Sequence, residues 1–254
     1  MIYNTIQPDL DLSAYISHFW TGSWDAVAEP AQDKHVIIAN RLLEITFAFT
    51  NGERQADLLF TTVQGQTHKP RQYSVPAFYH LFGVSIFCHA IPILFGCSPA
   101  EISHQYLSFD TFIGGASRML IEQVASAGST AERVNILSNF FRDRLSGRPF
   151  RDQLMLNFLN DIKAIGNTIP IHKLVENYPL SQKQFTRRFK EFTGFCPKMF
   201  TRISRLETVI NTYSNSVSLA ALIYENGFYD QAHFINEFKN LTGFRPTVFW
   251  TLGT

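Results

Sequence analysis

The sequence predicts an α+β protein: a β-rich N-terminal domain with flanking helices, followed by an all-α domain of two helix-turn-helix units joined by a linker helix. Three observations predict it. One stretch occurs twice, FTRRFKEFTGFCPKMF from Phe185 and FINEFKNLTGFRPTVF from Phe234, with Phe185/Phe234, Phe189/Phe238, Lys190/Lys239, Thr193/Thr242, Gly194/Gly243, Pro197/Pro246 and Phe200/Phe249 matched at a constant offset of 49 residues. The run LLEITFAF from Leu42 to Phe49 alternates, with Leu43, Ile45, Phe47 and Phe49 on one side and Glu44 and Thr46 on the other, and the hairpin signal Asn51-Gly52 follows it. No strand pattern occurs beyond residue 150.

Taken in order, residues 1 to 35 hold a short apolar patch, Tyr15 to Trp20 and Trp24, read as a docking strand or helix turn. From Val36 to Phe87 the pattern is that of strands: Leu42 to Phe49, Asp57 to Gln64, Gln72 to Phe78 and Leu81 to Phe87, separated by Gly65, Pro70 and Pro76. A small barrel or sandwich is expected there. Ser98-Pro99-Ala100-Glu101 combines a Ser cap, Pro at the first helical position and Glu at the third, so a helix starts at that point. Gly114-Gly115 breaks the chain, and Ala116 to Ala125 and Ala131 to Leu145 are expected as two further helices. In the second, Val134, Leu137, Phe141 and Leu145 form one apolar stripe, which either packs on its own domain or is a seam with a second copy.

Ser146-Gly147-Arg148-Pro149 is the expected boundary, giving domains 1–146 and 150–254. Charge changes sign near it: residues 1 to 150 hold 10 Lys+Arg against 13 Asp+Glu, and 151 to 254 hold 12 against 8. The surplus concentrates in 181 to 205, where Lys183, Arg187, Arg188, Lys190, Lys198, Arg202 and Arg205 face one acid, Glu191. That is the footprint of a phosphate-contacting element or of a solvated helix face.

Past the boundary, Arg151 to Ile165 reads as an amphipathic helix with Leu154, Phe158 and Ile162 in line. Each repeated stretch reads as a helix, a stop and a restart. Phe at i and i+4 share one face, Gly supplies a left-handed cap, and Pro suits the first turn of the next helix. Before the first copy come a short helix, Ile171 to Asn177, the turn Tyr178-Pro179-Leu180 and a capping box from Ser181 to Gln184. Before the second come Leu219 to Asn226 with Ser218 as cap, the turn Gly227-Phe228 and a helix opened by Asp230. Each is a short helix, a turn and a second helix, the arrangement whose second helix can enter a major groove and which also occurs in plain bundles. Lys198 to Tyr213 joins them as a helix of roughly 24 Å, of the order needed to hold two such helices near the ~34 Å between successive major-groove faces.

The run SLAALIYENGFYDQAHFINEFKNLTGFRPTVF (Ser218 to Phe249) resembles the signature of the AraC/XylS family of bacterial transcription regulators, matching it at Ala221, Gly227, Phe228, Asp230, His233, Phe234, Phe238, Lys239, Thr242, Gly243 and Pro246. The resemblance covers about residues 151 to 254 and implies a seven-helix DNA-binding domain with two helix-turn-helix units. Residues 1 to 146 resemble, more weakly, the variable domain of such regulators that senses a small molecule or mediates dimerisation. Carried over by position, Lys183, Thr186 and Arg187 would read bases from the first recognition helix, and Gln231, Ala232 and Asn236 from the second. Lys or Arg suits guanine, Gln or Asn suits adenine, and Ala232 offers a methyl contact to thymine. Ser181, Asp230 and His233, with Arg188, Lys190, Arg202 and Arg205, fall at the DNA backbone, the last four as phosphate contacts or as core-edge pairs. Double-stranded DNA is the implied partner; RNA polymerase and a small-molecule effector are candidates, with the protein a monomer or homodimer.

The first unit departs from the family pattern at Pro170 and at Tyr178-Pro179-Leu180, and the second at Glu237, which leaves residues 230 to 245 without net charge. The first unit is therefore expected to supply most of the electrostatic affinity. The alternative is a regulator working through protein contacts alone.

Other chemistry has little support. Cys88-His89 with His80 and Cys97 matches no zinc spacing, so neither a metal nor a cofactor is expected. No P-loop, dinucleotide fingerprint or nucleophile elbow occurs, and the chain is read as non-enzymatic. Tyr79, His80, Trp20 and Trp24 suit core packing better than an effector pocket, and no effector-binding residue is assigned. Three irregularly spaced Cys, no secretory pattern at the N-terminus and no apolar run of about 18 residues give the expectation of a cytoplasmic protein away from the membrane.

Overall fold

A computed structural model describes residues 2–25, 34–50, 57–74, 78–146, 152–165, 171–213 and 218–251. Packing divides the chain into two units: Met1–His35, Leu42–Gln66 and Gln72–Phe150 in one, and Val36–Arg41, Thr67–Arg71 and Arg151–Thr254 in the other. The strands are β1 (Ile2–Ile6), β2 (Ile16–Asp25), β3 (Lys34–Ile37), β4 (Leu42–Phe49), β5 (Leu58–Gln64), β6 (Arg71–Ser74), β7 (Phe78–Phe87) and β8 (Tyr106–Ser108).

In the first unit a six-stranded sheet runs in the order β1-β2-β7-β4-β5-β8, and β3 pairs with β6 in a separate ribbon. The pairs of the large sheet are antiparallel. The alternation of β4 is realised: Leu43, Ile45, Phe47 and Phe49 are fully buried. The apolar patch at Tyr15 to Trp20 becomes the first half of β2 rather than a helix turn. The two strands expected at 72–78 and 81–87 are corrected, since β6 ends at Ser74 and β7 runs unbroken from Phe78. β7 is central and pairs along its length with both β2 and β4, and this pairing carries it through Tyr79-His80, where the apolar alternation is weak. The Asn51-Gly52 turn lies outside the described residues, as do Pro76, Pro170 and the boundary at 147–149.

Short helices α1 (Ile91–Phe95), α2 (Pro99–Ile102) and α3 (Phe109–Ile113) precede α4 (Ser117–Ser126) and α5 (Thr130–Leu145). The expected capping box is present at Ser98 and Glu101, although α2 spans only 4 residues. Phe109 meets Phe47 edge-on at 5.8 Å, and the Arg133 guanidinium lies 3.8 Å over the Phe49 ring, so α3 and α5 cover the large-residue face of the sheet. Leu137 and Phe141 of the α5 stripe are fully buried within the chain, which makes them part of this core rather than of a seam with a second copy.

The second unit contains α6 (Gln153–Ile165), α7 (Ile171–Val175), α8 (Gln182–Thr193), α9 (Pro197–Thr212), α10 (Leu219–Glu225), α11 (Gln231–Thr242) and α12 (Pro246–Thr251). Its core is aromatic. Phe158 of α6 packs on Phe185 and Phe189 at 4.5 and 5.4 Å, and Phe238 of α11 packs on Phe249 and Trp250 of α12 at 5.2 and 5.3 Å. The buried line of α6 runs through Met155, Phe158 and Ile162, with Leu154 only half-buried. The matched glycines are left-handed helix caps, Gly194 at φ 81° and Gly243 at φ 84°. The matched threonines close the same helix ends: Thr193 Oγ1 donates to the Phe189 carbonyl and Thr242 Oγ1 to that of Phe238, both at 2.8 Å.

Two stretches from the N-terminal half belong to this unit. Ala39 N–H donates to the Leu241 carbonyl at 2.8 Å, Arg41 Nε donates to Glu207 Oε2 of α9 at 2.7 Å, and the Arg41 guanidinium lies 4.6 Å over Phe200. A single cut at 146–150 therefore describes the order of the chain but not its packing.

Candidate nucleic-acid interface

Each helix-turn-helix hairpin is set by its caps and by which face of its second helix is apolar. In the first, Ser181 and Gln184 form the reciprocal capping box: Ser181 Oγ accepts from Gln184 N–H at 3.3 Å, and Gln184 Oε1 accepts from Ser181 N–H at 3.1 Å. Phe185, Phe189 and Phe192 turn inward. Lys183, Thr186, Arg187 and Lys190, at spacings of three and four, lie along the exposed face of α8. Among the described residues, Lys183, Arg187 and Lys190 form no ion pair. The unusual turn has a physical reason: Tyr178 packs edge-on against Phe158 at 5.2 Å and its hydroxyl donates to Asp161, so it anchors the turn in the core.

In the second hairpin Ser218 caps α10, accepting from Ala221 N–H at 3.4 Å, and Asp230 caps α11, accepting from His233 N–H at 2.7 Å. Gly227 makes the turn at φ 72°. Phe234 and Phe238 are fully buried, and Gln231, Ala232 and Asn236 are exposed on the opposite side. Lys183 and Ala232, and likewise Arg187 and Asn236, occupy equivalent positions of the 49-residue repeat.

Arg188, Arg202 and Arg205 of the cluster are engaged within the protein. Arg188 binds Asp152 through Nε at 2.6 Å and Nη2 at 2.9 Å, which pushes its pKa further up. Arg202 Nε donates to Glu237 Oε1 at 2.7 Å, and Arg205 Nη1 donates to the Gly227 carbonyl at 3.0 Å while burial lowers the Arg205 pKa. Of the two roles open to these arginines, the geometry realises the core-edge pair. His233 Nε2 lies 3.3 Å from Glu237 Oε2, so Glu237 ties its helix to α9 and to its own first turn. Its carboxylate is directed into this network, and that, rather than a groove, accounts for an acid on the helix.

Two features escaped the sequence reading. Glu237 registered only as unwanted charge, and its anchoring role needs the partner on α9. Tyr229, 86% exposed immediately before Asp230, is positioned for the same surface, and an aromatic in a polar turn is its only sequence signal.

Residues 174–251 match the family model described as a helix-turn-helix domain, and residues 4–108 match a domain of unknown function, DUF6597. No curated protein matches. Among solved structures, ToxT from Vibrio cholerae O395 bound to (E)-4-(8-methylnaphthalen-1-yl)but-3-enoic acid aligns over 100% of both chains with 10% identity and a TM-score of 0.53. A 1.65 Å structure of ToxT from Vibrio cholerae aligns over 92% of this chain and 98% of that one, with 12% identity and a TM-score of 0.52. Wild-type ToxT from strain SCE256 bound to an unsaturated fatty acid aligns over 91% and 94%, with 10% identity and a TM-score of 0.53. At such identities the likeness is one of fold. With the family signature lying inside the matched region, residues 174–251 form an AraC-type helix-turn-helix domain.

Proposed function

We propose that the protein binds one asymmetric DNA site through both hairpins, with α8 and α11 in successive major-groove segments. The observation that supports this best is the pair of exposed faces at equivalent repeat positions, each on a helix held from behind by buried Phe. On this reading Lys183, Thr186 and Arg187 read bases from α8, and Gln231, Ala232 and Asn236 from α11. Lys190 and the N-termini capped by Ser181 and Asp230 meet phosphates, with His233 beside them. The first hairpin carries the unpaired positive charge and supplies most of the salt-dependent affinity. The N-terminal unit acts as the control module, through a small molecule or through dimerisation, and output passes to RNA polymerase. ToxT, described with bound carboxylic acids, shares the fold and supports the small-molecule arm.

Selection of bound sequences from random duplexes, followed by gel shifts across a salt series, tests the proposal. A single asymmetric site bound in a salt-sensitive manner is expected. No salt-sensitive binding to any duplex at low ionic strength would leave protein contacts as the mode of action.

A further inference from the structure

The two faces of the large sheet differ in what fills them. On the face covered by α3 and α5, large residues such as Phe19, Ile45, Phe47 and Phe82 leave no exposed surface. On the other face, cross-strand pairing aligns His18, Ser85, Glu44, Gln64 and Tyr106 in one row, and Thr5, Trp20, Gly83, Thr46, Thr62 and Ser108 in the next. Small residues predominate at its centre: Gly22, Gly83, Ser85, Thr46 and Ala48. The Trp20 indole lies across Gly83, where an added Cβ would sit 2.4 Å from its Cε2 and Cζ2. Tyr3 stacks on Trp20 at 5.6 Å.

This face holds three buried donors without a partner among the described residues: Trp20 Nε1, Gln64 Nε2 and the Ser85 hydroxyl. Trp20 is 6% exposed, Gln64 8% and Ser85 0%. Buried polar atoms are almost always satisfied, so three on one face of the sheet mark a surface where something else makes the bonds. Glu44, between Ser85 and Gln64, forms no ion pair or hydrogen bond among the described residues, and no Lys or Arg stands on these rows.

We propose that this face is a binding site for a small organic amine that also carries a hydroxyl or carbonyl oxygen. Its ammonium group pairs with the Glu44 carboxylate on the face that carries the Tyr3 and Trp20 rings, and its oxygen accepts from the donors that flank Glu44, the Ser85 hydroxyl and the Gln64 amide. The inference rests on the reading of the N-terminal unit as a control module, and it assigns a ligand opposite in charge to the carboxylic acids bound by ToxT. Burial pushes the Glu44 pKa up to about 7, and no cation among the described residues opposes that shift. The bound amine supplies that cation, so binding between about pH 5 and pH 7 releases a proton from Glu44. The other titratable groups on these rows are His18 and Tyr106, with Tyr3 on the row beyond. Burial raises the Tyr3 pKa and lowers that of His18.

Binding is tested on the full chain by calorimetry with ethanolamine and glycinamide, against ethylene glycol and glycolamide as neutral counterparts and glycolate as the anion. Both amines are expected to bind at pH 8, at least ten-fold more weakly at pH 5.5, and not at all to Glu44→Gln; the neutral compounds and the anion are expected not to bind. His18→Gln should retain the loss of affinity at low pH. Equal binding of ethylene glycol, Glu44-dependent binding of glycolate, or no binding of either amine overturns the inference. Should Glu44→Gln fail to fold by circular dichroism, the comparison of ethanolamine with ethylene glycol on the parent chain decides it alone. DNA affinity is measured in parallel without added compound. Retained DNA binding with no amine binding removes this inference only, whereas loss of DNA binding removes the functional reading itself.

Discussion

Arg188 and Glu237 occupy the same position of the repeated unit, 49 residues apart, and each pairs with a residue of the helix that precedes its hairpin or of that helix's N-terminus, with the charges exchanged. Arg188 on α8 binds Asp152, which caps α6 by accepting from Met155 N–H at 3.1 Å; Glu237 on α11 binds Arg202 of α9. Both recognition helices are therefore fastened at one equivalent point behind their exposed faces. The sign of the charge at that point is free to differ because the bond, not the charge, is what the fold requires.

Removing Glu237 gives opposite results on the two readings of its charge. An acid facing DNA repels phosphate, and its loss would tighten binding; an acid that anchors α11 loosens the helix when lost. Glu237→Ala is expected to weaken DNA binding several-fold in gel shifts. Arg202→Ala is expected to cost about 2 kcal/mol in urea unfolding, because the Glu237 side chain is only 12% exposed and would keep His233 alone as a partner. Tighter DNA binding by Glu237→Ala would refute the anchoring role.

Salt dependence separates the cations. Arg187→Ala should reduce the slope of log affinity against log salt by about 1. Arg188→Ala should leave the slope unchanged while lowering stability, since Asp152 already holds that guanidinium. Asn236→Ala should relax base preference with the slope intact. Equal slope changes for Arg187→Ala and Asn236→Ala would contradict the division of labour between the hairpins.

The parts legible in the sequence are those set by local geometry. Phe185 and Phe189, Gly194 and Pro197 specify a buried face, a left-handed cap and a helix restart within 13 residues, and both copies fold that way. The direction of a charge is different, because Arg188, Arg202 and Arg205 read as one basic cluster until Asp152, Glu237 and Gly227 are brought beside them. The membership of Arg41 in the helical unit depends on Glu207, 166 residues away, and no local pattern carries it. Glu44 shows a subtler limit. Alternation correctly places it opposite Leu43 and Ile45, but alternation does not show that Trp20, Gln64 and Ser85 on the same face are buried.

The left-handed caps give a local test. Gly243 has φ 84°, and an added Cβ would come 3.4 Å from Cβ and Cγ of Pro70, which is ordinary contact. Backbone strain is thus the main cost of Gly243→Ala, about 1 kcal/mol, or roughly 3 °C in melting temperature. A loss above about 3 kcal/mol in denaturant unfolding would show that the Pro70 contact is tighter than its geometry indicates.

Glu44 makes stability depend on pH in a direction opposite to that of an ion-paired carboxylate. Burial raises its pKa from 4.5 to about 7, so the folded protein holds the proton over a range in which the unfolded chain has released it. Stability from this group is complete below pH 4.5, falls as pH rises toward 7, and stays low above that. Glu44→Gln removes the titration while keeping the shape. The variant is therefore expected to match its parent near pH 4.5 and to melt on the order of 5 °C higher at pH 8, the difference developing between those values. Thermal scans of both proteins in the absence of amines measure it. A variant that gains nothing at pH 8 would place the Glu44 carboxylate in full contact with solvent or with a cation, and the unopposed charge would be lost as a feature of the sheet.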